Sequence, residues 1–158
     1  MGFSSSPPAD PSGRLVFASD IFATVVLTSI AGNLSLPDVT IPSGAIPTGV
    51  SISRVLAGVS WRKQVDSSGV ANAINVAQVI QVRSDAPGTF RNAIDIPNNA
   101  LATGANSTEG GVMIVGDNDI SVEVVGADIY EFQWTLADVD GNNLTLHDFQ
   151  TYLILEYD

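Results

Sequence analysis

Apolar and polar residues alternate with a period of two along most of the chain, and Gly, Pro, Asn and Asp interrupt the alternation roughly every ten residues. The clearest case is the segment 130–136, where aromatic and aliphatic residues alternate with Glu131, Gln133 and Thr135. Another apolar row runs from residue 74 to 82, interrupted by Gln78. A period of two is typical of strands with one buried face. The pattern predicts an all-β, jelly-roll-like antiparallel β-sandwich of eight or nine strands.

Three segments depart from simple alternation. Leu36 to Gly49 contains three prolines, which predicts a crossing loop or an edge strand, because proline cannot donate to a central ladder. In residues 50–63 the apolar positions change parity after Ile52, which predicts a bulge or a strand that bends between sheets. The final strand is apolar on both faces, with Tyr152 and Ile154 on its second face. It therefore either lies centrally under a second layer or meets another subunit.

Residues 112–124 have the pattern of a hairpin. Val112–Val115 is an unbroken apolar run, and residues 116–119 (Gly-Asp-Asn-Asp) favour a turn because Gly and Asn tolerate positive φ. Apolar residues then alternate from Ile120 to Val124. We therefore expect two strands joined by a tight turn.

Residues 1–13 carry three consecutive serines, three prolines and two glycines, without a core-forming pattern. They predict a flexible, extended N-terminal arm, followed by a single sandwich domain over residues 14–158. We expect the arm to lie along a neighbouring subunit.

Charge is distributed unevenly along the sequence. The net charge is -11, but residues 1–91 hold all six cations against five acids, whereas residues 92–158 hold twelve acids and no Lys or Arg. This distribution is consistent with simple solubility, or with an acidic half that faces solvent and an Arg-bearing half that contacts a partner. Its negative field disfavours nucleic-acid binding, and no apolar stretch is long enough to span a membrane.

The sequence offers little catalytic chemistry. It has no Cys and a single His, His147, which lies outside any recognisable hydrolytic motif. We expect no enzymatic activity and no cofactor. The best ligand-like motif is Asp138, Asp140 and Asn142, a weak calcium candidate that departs from the EF-hand pattern and is more simply explained by a hairpin turn. The turn at residues 116–119 is a weaker second candidate.

Several segments together resemble tailed-phage head-decoration (capsid cement) and minor virion structural proteins with a β-sandwich fold. They are the Ser/Pro arm, the passage 36–45 that leads into a long strand with Arg54 and Trp61, the turn at residues 116–120, and the terminal strand ending at residues 153–157. The resemblance covers most of the chain but includes no diagnostic motif. It implies a virion structural protein on the capsid surface, a homo-oligomer that is often a trimer, and binding to the major capsid protein.

The sequence also suggests which residues dock. We expect partner contacts from the arm and from three cations of a predicted strand, namely Phe3, Pro7, Pro8, Pro11, Arg54, Arg62 and Lys63. A loose tail and ordinary solvated charges are the alternative explanation for these residues. Two other classes of function stay open. A carbohydrate-binding or adhesin module predicts solvent-facing aromatic rings, and an enzyme or ligand-binding barrel predicts a deep pocket with a perturbed titratable group.

Overall fold

Strands form nearly all of the regular structure in the computed structural model, which describes residues 13–28, 32–66, 73–74, 78–85, 87–97, 104, 106–136, 139–140 and 144–158. In chain order they are β1 (Gly13–Ala18), β2 (Phe22–Leu27), β3 (Gly32–Ile41), β4 (Ile52–Asp66), β5 (Ala73–Ile74), β6 (Gln78–Ser84), β7 (Arg91–Ile96), β8 (Thr108–Val115), β9 (Asp128–Leu136), β10 (Val139–Asp140) and β11 (Leu144–Tyr157). These residues include no helix, and hence none that could cross a membrane. The all-β prediction is confirmed.

The longer strands form two antiparallel sheets. Sheet A has the order β1-β11-β4-β8, with β2 also on β11, and sheet B has the order β3-β9-β6-β7. β1 lies opposite Tyr152–Tyr157 and β2 opposite Leu144–Phe149, so together they form one edge strand interrupted at residues 19–21. If β1 and β2 are counted as one strand and the two-residue β5 and β10 are set aside, eight described strands remain. Numbered from one to eight in chain order, they are arranged 1-8-3-6 in sheet A and 2-7-4-5 in sheet B, which is the jelly-roll arrangement. The predicted sandwich class is therefore confirmed.

The hydrophobic core lies between the two sheets and follows the alternation seen in the sequence. Its largest fully buried side chains are Trp134, Tyr130, Phe132, Phe149, Leu27, Ile41, Ile80, Ile94, Ile96 and Ile120. Both indole N–H groups have partners: Trp134 Nε1 donates to Gln78 Oε1 at 2.8 Å, and Trp61 Nε1 donates to Gln64 Oε1 at 3.1 Å. Gln78 therefore does not interrupt its apolar row. It faces the core and satisfies a polar group that would otherwise be costly to bury.

Sheet A is kinked along a row of three residues, Gly111, Arg62 and Asp148, which we call the kink row. The pairing registers of β8, β4 and β11 all skip this row. Asp148 has a φ of 53°, and a Cβ on Gly111 would lie 2.4 Å from the Trp61 carbonyl oxygen. Trp61 and Gln64 are both buried although they are three residues apart, so the parity of β4 changes at the kink. Irregularities of this kind bend a strand and aim side chains in new directions.

The Pro-rich passage and the parity change behave as predicted. Pro37 lies in β3, an edge strand of sheet B, at a register shift between Leu36 and Val39. Near the start of β4, the register with β11 shifts between the partners of Arg54 and Ile52, so the predicted bulge is present. Edges and bulges are the positions where a sheet tolerates proline and irregular pairing.

The hairpin predicted for residues 112–124 is wrong. β8 belongs to sheet A and β9 to sheet B, so residues 116–127 cross between the sheets. The Asp119 carboxylate accepts the Ser121 N–H at 2.9 Å as well as the Val55 N–H at 3.0 Å, and the Val124 N–H donates to the Ile120 carbonyl at 3.0 Å. The resulting helical turn buries Ile120 and Val124, four residues apart. Capping by a short polar side chain has favoured a turn where the alternation suggested a strand.

Candidate docking surface

The outer face of sheet A carries a continuous row of apolar side chains. Val16 pairs with Ile154, which pairs with Leu56, while Tyr152 pairs with Gly58, which pairs with Val115. Met113 lies opposite Ser60 in the next outward-facing position. We call this set the apolar stripe: Val16, Leu56, Met113, Val115, Tyr152 and Ile154. It crosses all four main strands of the sheet.

The apolar stripe has a covered floor and exposed sides. Leu56 and Ile154 are 9% and 8% exposed, whereas Val16 is 58%, Met113 60% and Val115 43% exposed. Leu56 and Ile154 lie on the two central strands, where outward-facing side chains have neighbours on both sides. The exposed side chains of Val16, Met113 and Val115 are the part of the apolar stripe that a partner would cover.

Tyr152 is held in place within the apolar stripe by its hydroxyl group. That group lies 2.8 Å from Ser60 Oγ and donates to Gln150 Oε1 at 3.0 Å. A tyrosine fixed in this way offers a large apolar ring with little rotamer freedom left to lose on binding, which favours a role in contact surfaces.

Ion pairs flank the apolar stripe at both ends. At one end Arg14 Nη2 donates to Glu156 Oε1 at 2.6 Å, and at the kink row Arg62 Nε donates to Asp148 Oδ2. All four residues are at least partly exposed, so each pair adds little stability. Their effect is to fix the positions of charged groups around an apolar centre.

The outer face of sheet B is polar and internally paired. Gln81 accepts hydrogen bonds from Gln133 at 2.7 Å and Thr135 at 3.3 Å, and it donates to Asn92 at 2.8 Å. Arg83 pairs with Glu131 on the same face. Because these groups already satisfy one another, this face gains less than the apolar stripe from being covered.

A groove of about 430 Å³ lies at the side of this polar face. Its lining includes Phe22, which is 44% exposed, and Phe90, whose ring lies 4.4 Å below the Arg83 guanidinium. Partial burial, reinforced by repulsion from nearby carboxylates, raises the pKa of Asp38 in the same groove. The groove thus combines an exposed ring with charged groups.

A second groove, of about 520 Å³, lies at the end of the sandwich between residues 42–52 and 121–127. Its lining is mostly small or apolar and includes Pro42, Ile46 and Val125. No titratable side chain lines it among the described residues. It therefore offers shape and apolar surface, without acid–base chemistry.

The structure places the three predicted docking cations on β4, but not in one cluster. Arg62 belongs to the kink row and Lys63 lies beside it, whereas Arg54 lies eight residues before Arg62, about 26 Å away along the strand. Arg54 donates to the Asp117 carbonyl at 3.5 Å. Within the described ranges, Arg54 and Lys63 are the two cations without an ion-pair partner.

The remaining predicted site residues are not described. Phe3, Pro7, Pro8 and Pro11 lie outside the described residues, as do Asp138 and Asn142 of the calcium candidate. Asp140 is described only through its backbone, which pairs with Ala73. In the described part of the chain, no group of three or more His, Asp or Glu side chains is arranged to hold a metal ion.

The separation of charge along the sequence does not become a separation in space. Four ion pairs occur among the described residues: Arg14 with Glu156, Arg62 with Asp148, Arg83 with Glu131, and Arg91 with Glu123. Each joins a cation from the first 91 residues to an acid from the last 67. The idea of an acidic half facing solvent opposite an Arg-bearing half is therefore wrong, because strands from the two halves alternate within each sheet.

None of the apolar stripe was among the predicted site residues. The sequence signal for it was the second apolar face of the last strand, Tyr152 and Ile154, which lie in its centre. β11 is central in sheet A, and its second face has no covering layer among the described residues.

No family model matches the chain, and no curated protein matches it. Among solved structures it is similar to a chain of the infectious bursal disease virus Gx strain, with a TM-score of 0.43 and 12% identity over 100% of this chain and 41% of that chain. A chain of the T13 particle of the same virus gives a TM-score of 0.43 and 9% identity over 99% of this chain and 41% of that chain. The crystal structure of FLHE gives a TM-score of 0.35 and 13% identity over 92% of this chain and 97% of that chain. The chain thus spans about two fifths of the virus chains, and similarity at this level assigns neither family nor function.

Proposed function

We propose that the protein is a non-enzymatic structural subunit of a virus particle, a decoration or cement protein that self-associates and binds neighbouring capsid subunits at the capsid surface. The observation that carries the proposal is the contrast between the two outer faces of the sandwich. The outer face of sheet A carries the apolar stripe, whereas that of sheet B is closed by its own polar pairs. The jelly-roll fold hosts capsid and lectin domains, and this fold-level analogy agrees with the proposal.

The apolar stripe is suited to a shell partner because it combines exposed apolar groups with a rigid base. Covering Val16, Met113 and Val115 would each contribute on the order of 1 kcal/mol, since all three are already partly buried. Arg54 would meet an acidic group on the shell partner, which sets orientation and association rate more than affinity. A protein that binds the assembled shell and not its dissociated subunits stabilises the shell by mass action.

The arm predicted over residues 1–13 would add to this contact. β1 begins at Gly13, opposite Tyr157, at the end of sheet A where Arg14 pairs with Glu156. The arm is therefore attached beside the apolar stripe. Phe3 and the prolines would reach a second shell subunit from that point.

Co-sedimentation of the full chain with capsids of the virus that encodes it tests the proposal. We expect wild type to sediment with the capsids and Val16→Glu to bind at least tenfold more weakly, because the new carboxylate would be buried without a partner. Gln81→Glu, on the opposite face, is the matched control and should bind as wild type does. If the wild-type chain stays in the supernatant at every ratio tested, the proposal is wrong.

A carbohydrate-binding or adhesin module is the second candidate, and the groove beside Phe22 favours it. An exposed ring next to Asp38 and Arg83 is the combination that sugars use for stacking and hydrogen bonding. A glycan array separates the two candidates. Binding that Phe22→Ala abolishes, without any association with capsids, would favour the module.

A further inference from the structure

We infer that two copies of this chain pair through β8, antiparallel to one another, so that two copies of sheet A become one continuous sheet. The inference deepens the proposed function, and it rests on that function only for the expectation of self-association. It names the strand, the register and the charges that join the copies. The occupant of the β8 edge is a second copy, and a dimer replaces the trimer expected from the sequence resemblance.

β8 is an edge strand with free backbone groups. The Gly116 N–H bonds to the Ala57 carbonyl, and antiparallel pairs alternate, so the N–H and C=O groups of Ile114 also face β4. The N–H and C=O groups of Met113 and Val115 then point away from the sheet. No described strand pairs with them on that side.

This edge lacks the usual protection against pairing. Natural edge strands carry lysine, proline or inward-facing charge, which discourage the addition of another strand. β8 reads TEGGVMIV and holds a single charged residue, Glu109. The other sheet offers a contrast, because its edge strand β3 carries Pro37 at a register shift. β8 is therefore an edge of sheet A that is open to another strand.

The side chains select one register of pairing. Met113 and Val115 face outward in the apolar stripe, and a two-fold axis beside Ile114 sets each Met113 against the Val115 of the second copy. Moving the axis to Met113 would set Val115 opposite Gly111 of the second copy and lose this apolar contact. The axis at Ile114 is thus favoured by apolar contact.

Charge complementarity indicates that a second copy fills this edge. Lys63 lies opposite Gly110, and Gly110 and Gly111 have no side chains to block its path to the edge. In the favoured register Asp117 of the second copy lies opposite Gly111, roughly 10 Å from β4, two strand spacings away. Lys63 has no ion-pair partner among the described residues of its own copy, and Asp117 is exposed. Two equivalent Lys63–Asp117 pairs would form across the axis.

Pairing has a consequence for the proposed docking. The two-fold axis keeps the apolar stripes of both copies on one surface, so a dimer presents twice the docking area of a single chain. Two linked sites bind a lattice more tightly than either does alone, provided that both can engage at once.

Sedimentation equilibrium of the full chain with charge-reversal variants tests the inference. We expect wild type to be a reversible dimer, and Lys63→Glu and Asp117→Lys each to raise the dissociation constant at least tenfold. The double variant should return to within about threefold of wild type, because its charges are again opposite. Circular dichroism melting confirms that each variant is folded, and these exposed or half-buried positions should change Tm little.

Met113→Pro supplies an independent readout. It removes an N–H that faces the open edge and leaves the bonds to β4 intact, so it should give a folded monomer. A wild-type chain that is monomeric at all concentrations, a trimer, or a double variant no tighter than the singles would each overturn the inference. Those outcomes leave capsid co-sedimentation untouched, so failure of the inference is distinguishable from failure of the proposed function.

Discussion

The indole ring of Trp61 lies parallel to the phenyl ring of Phe149, at an interplanar angle of 3° and a centroid separation of 6.0 Å. The two rings sit on adjacent strands immediately beside the kink row, on the core side. Both rings are buried in the core.

Truncating this ring pair should be among the most destabilising single changes. We expect Phe149→Ala to lower the free energy of unfolding by about 3 to 5 kcal/mol, because it leaves a cavity beside Trp61. Urea denaturation followed by tryptophan fluorescence measures the change. Val122→Ala, at an exposed loop position, should stay within about 0.5 kcal/mol of wild type, and a similar loss there would contradict the assignment of the core.

Two adjacent glycines on β8 should respond differently to the same substitution. A Cβ at Gly111 would lie 2.4 Å from the Trp61 carbonyl oxygen, whereas a Cβ at Gly110 meets nothing within 4 Å. We expect Gly111→Ala to destabilise the fold by about 1 to 3 kcal/mol through overpacking. Gly110→Ala should be neutral or slightly stabilising, because it restricts the unfolded chain. Equal thermal shifts for the two variants would argue against a kink at this row.

The buried hydrogen bond between Trp134 and Gln78 should show a measurable coupling. Gln78→Met keeps the volume but leaves the indole N–H without this acceptor, at a cost of about 1 to 3 kcal/mol. In a Trp134→Phe background the same change should cost less, since no N–H remains to be satisfied. A double-mutant cycle of unfolding free energies gives the coupling, and a value near zero would contradict the bond.

Asp119 should contribute to stability against acid. Partial burial alone would raise its pKa, but hydrogen bonds from Val55 and Ser121, with Arg54 nearby, lower the pKa below 3.8. Because the folded-state pKa is the lower one, the stabilisation is present above pH 3.8 and is lost as the pH falls through the folded value. We expect Asp119→Asn to destabilise at neutral pH and to reduce the loss of Tm between pH 4 and pH 2. If the variant loses as much Tm between pH 4 and pH 2 as wild type does, Asp119 does not contribute to the acid sensitivity of the fold.

Alternation was informative where one face of a strand meets the core. The segment 130–136 is buried at every second residue, and the parity change after Ile52 corresponds to a real bulge. It failed at Ile120 and Val124, because residues four apart on a single turn share a face just as alternate residues of a strand do. Local sequence contains both possibilities, and the capping carboxylate of Asp119 decides between them.

The candidate surface was only partly predictable for a related reason. The apolar run Val112–Val115 indicates burial, yet Met113 and Val115 are exposed because β8 ends its sheet. Edge or centre is a property of long-range pairing, which no short segment reports. The same holds for Arg54 and Lys63, which have no ion pair among the described residues because the nearby acids pair with Arg14 and Arg62.

β11 is the central strand of sheet A, flanked by β1 and β2 on one side and β4 on the other, and it follows every other strand in the sequence. The first 143 residues therefore contain three strands, β1, β2 and β4, that lack their shared neighbour. During translation the backbone groups of these strands would stay unpaired until β11 is synthesised. Sheet A therefore forms in one late, cooperative step, when β11 pairs with these strands. Deleting β11 should abolish the fold and leave intermediates with exposed apolar surface that chaperones bind.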